Sequence, residues 1–238
     1  MTSGEPRKVA IITGASHGIG AGLVAGFRGC GYAVVGTARS IGPSDDPGYV
    51  TVAGDIAQPE TAQHVVDQAL DRFGRIDSLI NNAGIFIGKP FTDYTVDDYA
   101  AITAVNLAGF LHITQRGIRQ MANQGSGHIV NVSTSLVEHA GSDRPSGLAV
   151  LTKGGLVAVA RSLAIEYASR GVRVNAVSLG VIRTPMHDAA SYAGMAALHP
   201  LGRVGEVSDV VDGILYLERA TFVTGEVLHI DGGQSAGD

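Results

Sequence analysis

Short runs of apolar, mostly β-branched residues recur along the whole chain and restrict its fold more than any other feature. Most of these runs are continuously apolar rather than alternating, which is typical of strands buried on both faces of a parallel sheet. The seven runs assigned to strands are Val9–Thr13, Ala33–Thr37, Val50–Ala53, Leu79–Asn81, Ile129–Ser133, Val172–Val177 and Val227–Ile230.

Helical patterns fill most of the intervals between these runs. Apolar residues at helical spacing follow Pro59 and recur from Val207 to Leu215, whereas Ile41–Gly48, with its prolines and aspartates, predicts a loop. The alternation predicts a doubly wound α/β Rossmann fold, in which helices cover both faces of a seven-stranded, mostly parallel sheet. Because no repeat or linker divides the chain, we expect one domain over residues 1–238. The weakly periodic segment Pro185–Pro200 predicts small mobile helices over a cleft.

Composition and charge argue against several classes of protein. Hydrophobic residues make up 45% of the chain and charged residues 16%, far from the composition of a disordered protein. The net charge is −5 and the 17 Lys and Arg residues are scattered, so we expect no nucleic-acid partner. The single cysteine, Cys30, permits no intramolecular disulfide, and neither an apolar leader nor a long uninterrupted apolar stretch is present. We therefore expect a cytoplasmic protein without a membrane segment, and no metal site, because the histidines lack ligand spacing.

A glycine-rich loop joins the first run to the first helical pattern. It reads Thr13-Gly14-Ala15-Ser16-His17-Gly18-Ile19-Gly20. Its three glycines allow a tight turn, close approach of backbone N–H groups to a pyrophosphate, and close packing of a helix on a strand. Between a strand and a helix, such a loop predicts nucleotide binding in preference to a purely structural turn.

The spacing T-G-x-x-x-G-x-G resembles that of the classical short-chain dehydrogenase/reductase family, and the resemblance continues along nearly the whole chain. Further matches are Asn81-Asn82-Ala83-Gly84, Val105-Asn106, Gly127–Ser133, Lys153-Gly154-Gly155-Leu156, Phe222-Val223-Thr224-Gly225 and Asp231-Gly232-Gly233. The resemblance implies a nicotinamide cofactor, a small-molecule substrate and hydride transfer between them.

The family resemblance also implies a role for each matched position. The residues implied in cofactor binding are Gly14, Ser16, His17, Gly18, Ile19, Gly20, Asp55, Ile56, Asn82, Ala83, Gly84, Lys153, Gly180, Ile182 and Thr184. Of these, Asp55 and Ile56 would meet the adenine, and Ile182 and Thr184 the nicotinamide carboxamide. Residues 82–84 and Lys153 would meet the sugars. Structural roles remain open for two residues, because Asp55 could merely cap a turn and Asn82 could merely tie two loops together.

Charge at the end of the second strand bears on the choice of cofactor. An acidic residue there would bond the ribose 2′-hydroxyl of NAD and repel a 2′-phosphate, but this chain has Arg39 and Ser40. A guanidinium binds phosphate through charge-assisted hydrogen bonds. The sequence therefore favours NADP(H), with Ser16 and His17 as further candidates for the phosphate. The alternative is that Arg39 is a solvated loop charge.

The chain departs from the family pattern at the catalytic centre. The family places a Tyr four residues before a Lys on one helix face, so that the Lys lowers the pKa of the phenol, and adds a Ser from the fifth strand and a helical Asn. Here Asn106 and Lys153 are retained, Thr134 takes the Ser position, and Ala149 stands in the Tyr position. Leu179 replaces a proline that the family usually has after the sixth strand. The catalytic residues we expect are therefore Asn106, Thr134 and Lys153.

The proton donor that would replace the Tyr is not evident. Weak candidates are Glu138, His139 and Tyr192, together with a water held by Lys153. A protonated imine would depend less on a Tyr than a ketone does.

Two functions remain compatible with this site. The first is an NADP(H)-dependent oxidoreductase acting on a small carbonyl, alcohol or imine. The second is a nucleotide-binding protein without turnover, acting as a cofactor sensor or an assembly subunit. Because family members usually form tetramers, we expect a homo-oligomer, either a tetramer or a dimer; the apolar run 156–160 fits an interface and a core equally well.

Overall fold

The computed structural model describes residues 7–141, 144–186 and 192–237. Within them, seven strands form one sheet in the order β3-β2-β1-β4-β5-β6-β7, and every pairing is parallel. The strands are β1 (Val9–Thr13), β2 (Ala33–Ala38), β3 (Tyr49–Ala53), β4 (Ser78–Asn81), β5 (Gly127–Thr134), β6 (Val172–Leu179) and β7 (Val227–Ile230). The strand order reverses between β1 and β4, and open α/β sheets bind ligands at the carboxyl ends of the strands at such a point.

Helices cover both faces of the sheet. They are α1 (Gly18–Gly29), α2 (Pro59–Phe73), α3 (Val96–Thr103), the π-helical segment Ala104–Gly109, α4 (Phe110–Gln124), α5 (Gly147–Tyr167), α6 (Tyr192–Ala196) and α7 (Val207–Arg219). As predicted, the connection Ile41–Gly48 contains no helix. The short α6 lies in the weakly periodic segment Pro185–Pro200, of which residues 187–191 lie outside the described residues.

Successive residues of β1 belong to two different cores. Val9 and Ile11 pack in the core formed with α2, α4 and α5, whereas Ala10 and Ile12 pack in the core formed with α1 and α7. All four side chains are fully buried. Because the strand lies between two helix layers, both of its faces are apolar, and this accounts for the continuous apolar runs in the sequence.

The Rossmann fold predicted from the sequence is confirmed, and the sheet of the described residues is parallel throughout. The stretch Gly147–Arg170 is long and apolar enough, by length and composition alone, to cross a membrane. In the structure, however, residues such as Val157 and Ala160 pack in the core beneath the sheet. Burial within the fold therefore accounts for part of its apolar character.

Candidate active site

The glycine-rich loop makes the turn that its sequence predicts. Gly14 and Gly18 have φ angles of +69° and +53°, in the left-handed region that favours glycine. A Cβ on Gly20 would lie 2.0 Å from the carbonyl oxygen of Gly14, so any side chain is excluded there. The loop leads into α1, where the N-cap residue His17 gives the first turn no side-chain cap. Backbone N–H groups at this helix start are therefore available to an anionic ligand.

The loop after β4 is bound to the glycine-rich loop through Thr13 and Asn82. The hydroxyl oxygen of Thr13 accepts hydrogen bonds from the backbone N–H groups of Asn82 and Ala83 at 3.1 and 2.9 Å. The amide of Asn82 donates to the carbonyl oxygens of Thr13 and Gly14 at 2.8 and 3.3 Å. Asn82 thus does tie the two loops together, and this places Ala83 and Gly84 beside the glycine-rich loop.

Asn106 lies in the π-helical segment and is fully buried. Its amide nitrogen donates to the carbonyl oxygen of Ile85 and to the hydroxyl of Thr152, each at 3.1 Å, and its amide oxygen accepts from the backbone N–H of Ile85 at 2.9 Å. These bonds fix the side chain between the loop after β4 and α5. The π-helical turn was not predicted from the sequence, and such turns are frequent at functional sites.

Lys153 reaches the same place from α5. Its Nζ donates to the carbonyl oxygen of Val132 at 2.8 Å. A Cβ on Gly84 would lie 2.8 Å from this nitrogen and 3.3 Å from Oδ1 of Asn106, so the absence of a side chain at Gly84 leaves room for both. Burial lowers the pKa of Lys153 to about 8. The structure therefore brings together Gly84, Asn106 and Lys153, three of the residues singled out in the sequence.

Thr134 is the last residue of β5 and is partly buried. Its hydroxyl oxygen accepts a long hydrogen bond, 3.4 Å, from the backbone N–H two residues later. The neighbouring serines have structural partners: Ser133 donates to the carbonyl oxygen of Lys153 at 3.1 Å, and Ser135 donates to the side chain of Gln234 at 2.8 Å. Ser135 lies beyond the end of β5, because it begins a 3₁₀ helix.

Ala149 lies one helical turn before Lys153 and is only 2% exposed. Its methyl group packs in a small apolar cluster with Ile102 and Leu148. The partly buried residues around this cluster are Ile85, Ile87 and Tyr94. The position in which the family resemblance expects a phenol is thus enclosed by apolar side chains.

The end of β2 lies next to the glycine-rich loop, because the backbone N–H of Ala15 donates to the carbonyl oxygen of Thr37 at 3.1 Å. Arg39 and Ser40 follow this strand and are exposed. Ser16 and His17 are exposed as well and share a hydrogen bond of 3.2 Å. All four residues proposed for the 2′-phosphate therefore lie on solvent-exposed segments at the same edge of the sheet.

Asp55 and Ile56 follow β3, and both have structural contacts. The carboxylate of Asp55 accepts from the backbone N–H of Ala57 at 3.0 Å, so the residue does cap its turn. Ile56 is buried in the core, and a Cβ on Gly109 would lie 2.9 Å from its side chain. The adenine contacts of Asp55 and Ile56 stay predictions.

The segment 180–184 follows β6 and lies beside the glycine-rich loop. A Cβ on Gly18 would lie 3.3 Å from Cβ of Thr184. Ile182 is buried, and its backbone forms a parallel bridge with Gly205. Leu179, in the position of the family's proline, is the buried last residue of β6. The substitution therefore leaves this segment next to the predicted cofactor site.

The weak candidates for a replacement acid have other contacts. The carboxylate of Glu138 pairs with His229 of β7. His139 completes the short 3₁₀ turn after β5 through its backbone N–H. The hydroxyl of Tyr192 donates to the carbonyl oxygen of Thr184 at 2.8 Å and accepts from its N–H at 3.1 Å. Tyr192 thus holds the segment 180–184. Within the described ranges, no group of three or more His, Cys, Asp or Glu residues could hold a metal ion.

Known proteins share both this fold and this sequence pattern. The family model described as enoyl-(acyl carrier protein) reductase matches residues 14–235. The putative ketoacyl reductase 2 of the granaticin polyketide synthase from Streptomyces violaceoruber is 35% identical over 249 residues, covering 98% of this chain and 98% of that protein. The chain belongs to the classical short-chain dehydrogenase/reductase family.

Solved structures of similar proteins superpose on this short-chain dehydrogenase/reductase. The structure of ElxO with NADP bound has a TM-score of 0.90 and 27% identity, covering 97% of this chain and 100% of that chain. The 3-ketoacyl-(acyl-carrier-protein) reductase from Brucella melitensis complexed with NADH has a TM-score of 0.85 and 30% identity, covering 96% and 98%. The two neighbours hold different nicotinamide cofactors, so the fold alone does not select one.

Three side chains that organise this short-chain dehydrogenase/reductase site were not predicted from the sequence. Thr13 belongs to the recognised T-G-x-x-x-G-x-G motif, and its polar side chain at a strand end is the signal that could have identified it. Thr152 bonds Asn106 across 46 positions, and His199 bonds Val181 across 18. Nothing in the local pattern around Thr152 or His199 indicates these partners.

Proposed function

We propose that the chain is an NADP(H)-dependent oxidoreductase that moves hydride between the nicotinamide and a small carbonyl, alcohol or imine substrate. One observation carries the proposal. Gly84, Asn106 and Lys153 meet beside the glycine-rich loop, and a Cβ on Gly84 would lie within 3.3 Å of polar atoms of both side chains. Three residues brought together from the loop after β4, the π-helical segment and α5 fit the catalytic arrangement that the family resemblance implies.

The residues present fit a dinucleotide. Gly14, Gly18 and Gly20 leave the backbone at the start of α1 uncovered, and a Cβ on Gly20 would already collide with the loop. A pyrophosphate suits such a helix start because the backbone N–H groups and the helix dipole both favour negative charge. NADP(H) is favoured over NAD(H) because Arg39 is exposed at the end of β2, where an acidic residue would repel the 2′-phosphate.

Lys153 and Thr134 are the side chains assigned to the chemistry. When bound, the nicotinamide supplies or accepts a hydride at the substrate carbon. The Lys153 ammonium binds ribose hydroxyls and, with a pKa of about 8, still carries its proton at neutral pH. We propose that this ammonium holds a water molecule, and that the water passes a proton to the substrate oxygen or nitrogen. Thr134 binds the substrate's polar atom through its hydroxyl, and Asn106 positions the loop after β4.

The apolar surroundings of Ala149 lower the expected rate without excluding turnover. A missing general acid typically costs about 10²- to 10⁴-fold in rate. Holding the reacting groups in contact provides effective molarities of about 10⁵ to 10⁸ M, which is the larger effect. An imine that arrives protonated needs no acid at all. We therefore include imines with ketones as substrates.

A second candidate function is cofactor binding without turnover, in a sensor or an assembly subunit. The observation that favours it is the enclosure of Ala149, which is 2% exposed among Ile102 and Leu148. Position 149 therefore offers a substrate oxygen no polar group, because the residue is an alanine and the side chains packed around it are apolar.

One experiment separates the two functions. NADPH binding is measured by fluorescence titration, and NADPH oxidation is followed with a panel of small ketones and imines, including acyl thioesters because two of the similar proteins are named ketoacyl reductases. We expect tight NADPH binding and slow but measurable turnover. Binding without any turnover across the panel favours the second function, and absence of NADPH binding overturns both.

We further propose that the chain acts in the cytoplasm as a homo-oligomer, either a tetramer or a dimer. Leu151 and Ile165 of α5 are exposed and lie about four helical turns apart, so they share one face of the helix. Leu111 of α4 is exposed too. Exposed leucine and isoleucine side chains on neighbouring long helices suit contact with a second copy. Light scattering coupled to size exclusion tests this proposal, and a monomer at micromolar concentration would contradict it.

A further inference from the structure

Two side chains from residues 192–199 hold the segment 180–184, which the family resemblance assigns to the nicotinamide. Tyr192 bonds both the N–H and the carbonyl oxygen of Thr184. Nε2 of His199 accepts a hydrogen bond from the backbone N–H of Val181 at 3.0 Å. The segment is therefore fixed at both ends by side chains that lie outside every family motif identified in the sequence.

The bonds of His199 define its protonation state. Nε2 accepts from Val181, so it carries no proton, while Nδ1 lies 3.1 Å from the carbonyl oxygen of Met195 and must donate to it. Both bonds together require the neutral imidazole with its proton on Nδ1. A second proton, on Nε2, would face the N–H of Val181 and replace an attraction by a contact between two donors.

His199 has no room to avoid that contact. The residue is 3% exposed. A Cβ on Gly180 would lie 2.7 Å from Nε2, and a Cβ on Gly232 would lie 3.1 Å from Cβ of His199. The imidazole is thus enclosed between the start of the segment 180–184 and the turn after β7. Loss of its bond to Val181 would therefore have to be absorbed by movement of the backbone.

Among the residues that the structure describes, two charged groups act on His199 in opposite directions. The carboxylate of Asp231, after β7, favours the protonated imidazole, and the guanidinium of Arg144, before α5, disfavours it. Asp231 is already engaged, because it accepts hydrogen bonds from the backbone N–H groups of Gly233 and Ser235 at 3.0 and 2.9 Å. Burial is the largest influence and lowers the pKa of His199, so the neutral form prevails at neutral pH.

We propose that His199 is a positioning residue for the cofactor: its neutral imidazole fixes Val181 and so holds the segment 180–184 in place for the nicotinamide half of NADP(H). The proposal rests on the proposed function, since it presupposes a nicotinamide cofactor at this edge of the sheet. It adds that a residue outside the family motifs influences how tightly the nicotinamide half of the cofactor is bound. Protonation of His199 releases Val181 and weakens binding of that half alone.

The test compares two ligands and two substitutions. NADPH carries the nicotinamide, whereas 2′,5′-ADP has only the adenine half and the 2′-phosphate. In His199→Met the acceptor is lost, and we expect NADPH affinity to fall about five- to tenfold, as for one buried hydrogen bond, with 2′,5′-ADP affinity unchanged. In His199→Gln an amide oxygen can accept from Val181 without titrating, and we expect NADPH affinity within about twofold of the wild type.

The pH dependence supplies a second readout that packing alone would not change. Because the 2′-phosphate titrates near pH 6 itself, the quantity measured is the ratio of NADPH affinity to 2′,5′-ADP affinity. As pH falls below the ordinary imidazole pKa of 6.5, this ratio should fall in the wild type once His199 gains its second proton, and stay constant in His199→Gln. The exposed His64 of α2 gives the control His64→Gln, which should behave as the wild type.

The outcomes are distinct. An unchanged NADPH affinity in His199→Met, or an equal loss of both ligands in both variants, overturns the positioning role. A ratio that falls equally in the wild type and in His199→Gln does so as well. If the wild type binds 2′,5′-ADP and NADPH, the proposed function survives those results. If the wild type binds neither ligand, both proposals fail.

Discussion

The two ends of the sheet hold buried polar groups in different ways. At the amino end, His128 of β5 pairs with the carboxylate of Glu218 at 2.7 Å, and Tyr32 donates to the same carboxylate at 2.9 Å. At the carboxyl end, Lys153 is bonded to a backbone carbonyl and has no carboxylate partner within the described part of the chain. The amino end is internally neutralised, whereas the carboxyl end keeps an unneutralised charge.

The polar groups at the amino end of the sheet also cap the carboxyl end of α7. Arg173 of β6 donates to four backbone carbonyl oxygens at the end of α7, at 2.9–3.2 Å; these belong to Leu217, Glu218, Ala220 and Val223. Cations are favourable at helix carboxyl ends because of the orphan carbonyls and the dipole. Asn175 donates to Nε2 of His128 at 3.0 Å and so completes the imidazole's bonds. Every partner here comes from the chain itself.

The difference shows what each end does. Removing one partner of a buried charge is destabilising, because it leaves the charge uncompensated. A buried charge whose bond is to a backbone carbonyl oxygen is held in place but not neutralised, so it can still be compensated by a ligand. We therefore expect substitutions at the amino end to change stability without changing cofactor affinity, and substitutions at the carboxyl end to do the reverse.

The largest effect is expected from Glu218→Gln. It removes the carboxylate that accepts hydrogen bonds from the neutral imidazole of His128 and from Tyr32 in a buried network, so the free energy of unfolding should fall by about 3 kcal/mol, as for hydrogen bonds to a charged group. Denaturant unfolding measures it, and NADPH affinity of the folded protein should not change. The control is Arg203→Gln, which breaks an exposed pair with Asp209 and should cost less than about 1 kcal/mol. Equal losses in the two variants would contradict the assignment of the amino end to stability.

The next effect is expected from Lys153→Met, which removes the unneutralised charge. Cofactor affinity and any turnover should fall together, with turnover reduced about 10²-fold, while stability holds or rises because a desolvated charge is lost. In the wild type, NADPH affinity should weaken as pH rises through about 8, where Lys153 loses its proton. In the variant this alkaline dependence should disappear. An unchanged NADPH affinity and an unchanged profile would exclude Lys153 from the site.

A smaller effect is expected from Arg39→Ala. The guanidinium is exposed, so water competes with its phosphate contact, and NADPH affinity should fall about 10- to 30-fold, near the lower end for a charge-assisted bond. NADH affinity should not change. Arg72→Ala, at an exposed position in the last turn of α2, is the matched control. Equal affinity of the wild type for NADPH and NADH would show that Arg39 does not select the cofactor.

Local pattern predicted the sheet and the glycine-rich loop because both depend on neighbouring residues. β1 and β7 have the predicted bounds, and β5 extends the predicted Ile129–Ser133 by two residues at its start and one at its end. The first two residues were not included because Gly127 and His128 precede the apolar run, although both are strand residues. His128 is buried through a partner 90 positions away, which no local pattern records.

The site divides in the same way. Gly84, Asn106 and Lys153 were each singled out through the family resemblance, and the structure brings them together. The surroundings of Ala149 were not predictable, because the cluster joins the loop after β4, α3 and α5 through packing alone. The hydrogen bond between His199 and Val181 was also not predictable from the sequence, since it depends on how the chain returns to the sheet after β6.

The smallest effect is expected from Ala149→Tyr. This substitution tests whether the site at the carboxyl end of the sheet lacks only a proton donor. A phenol at this position lies one helical turn from Lys153, whose ammonium should lower the pKa of the phenol and let it donate a proton to a carbonyl oxygen. If the missing acid is the only deficiency, reduction of small ketones should increase about tenfold. NADPH oxidation at saturating cofactor measures it.

The packing around position 149 works against that gain. Ile102 and Leu148 contact Ala149, and the hydroxyl of the neighbouring Tyr94 is bonded to the carbonyl oxygen of Ile87 at 2.8 Å, so a phenol has to displace ordered groups. Overpacking of this kind typically costs about 1–3 kcal/mol in stability. Ala149→Phe is the matched control, because it adds the same ring without the hydroxyl. Both variants should melt at similar, lowered temperatures, and only Ala149→Tyr should gain activity. If the two variants bind NADPH and neither gains, the carboxyl end is not a reductase site lacking one acid, and the cofactor-binding function without turnover becomes the better account of the apolar enclosure around Ala149.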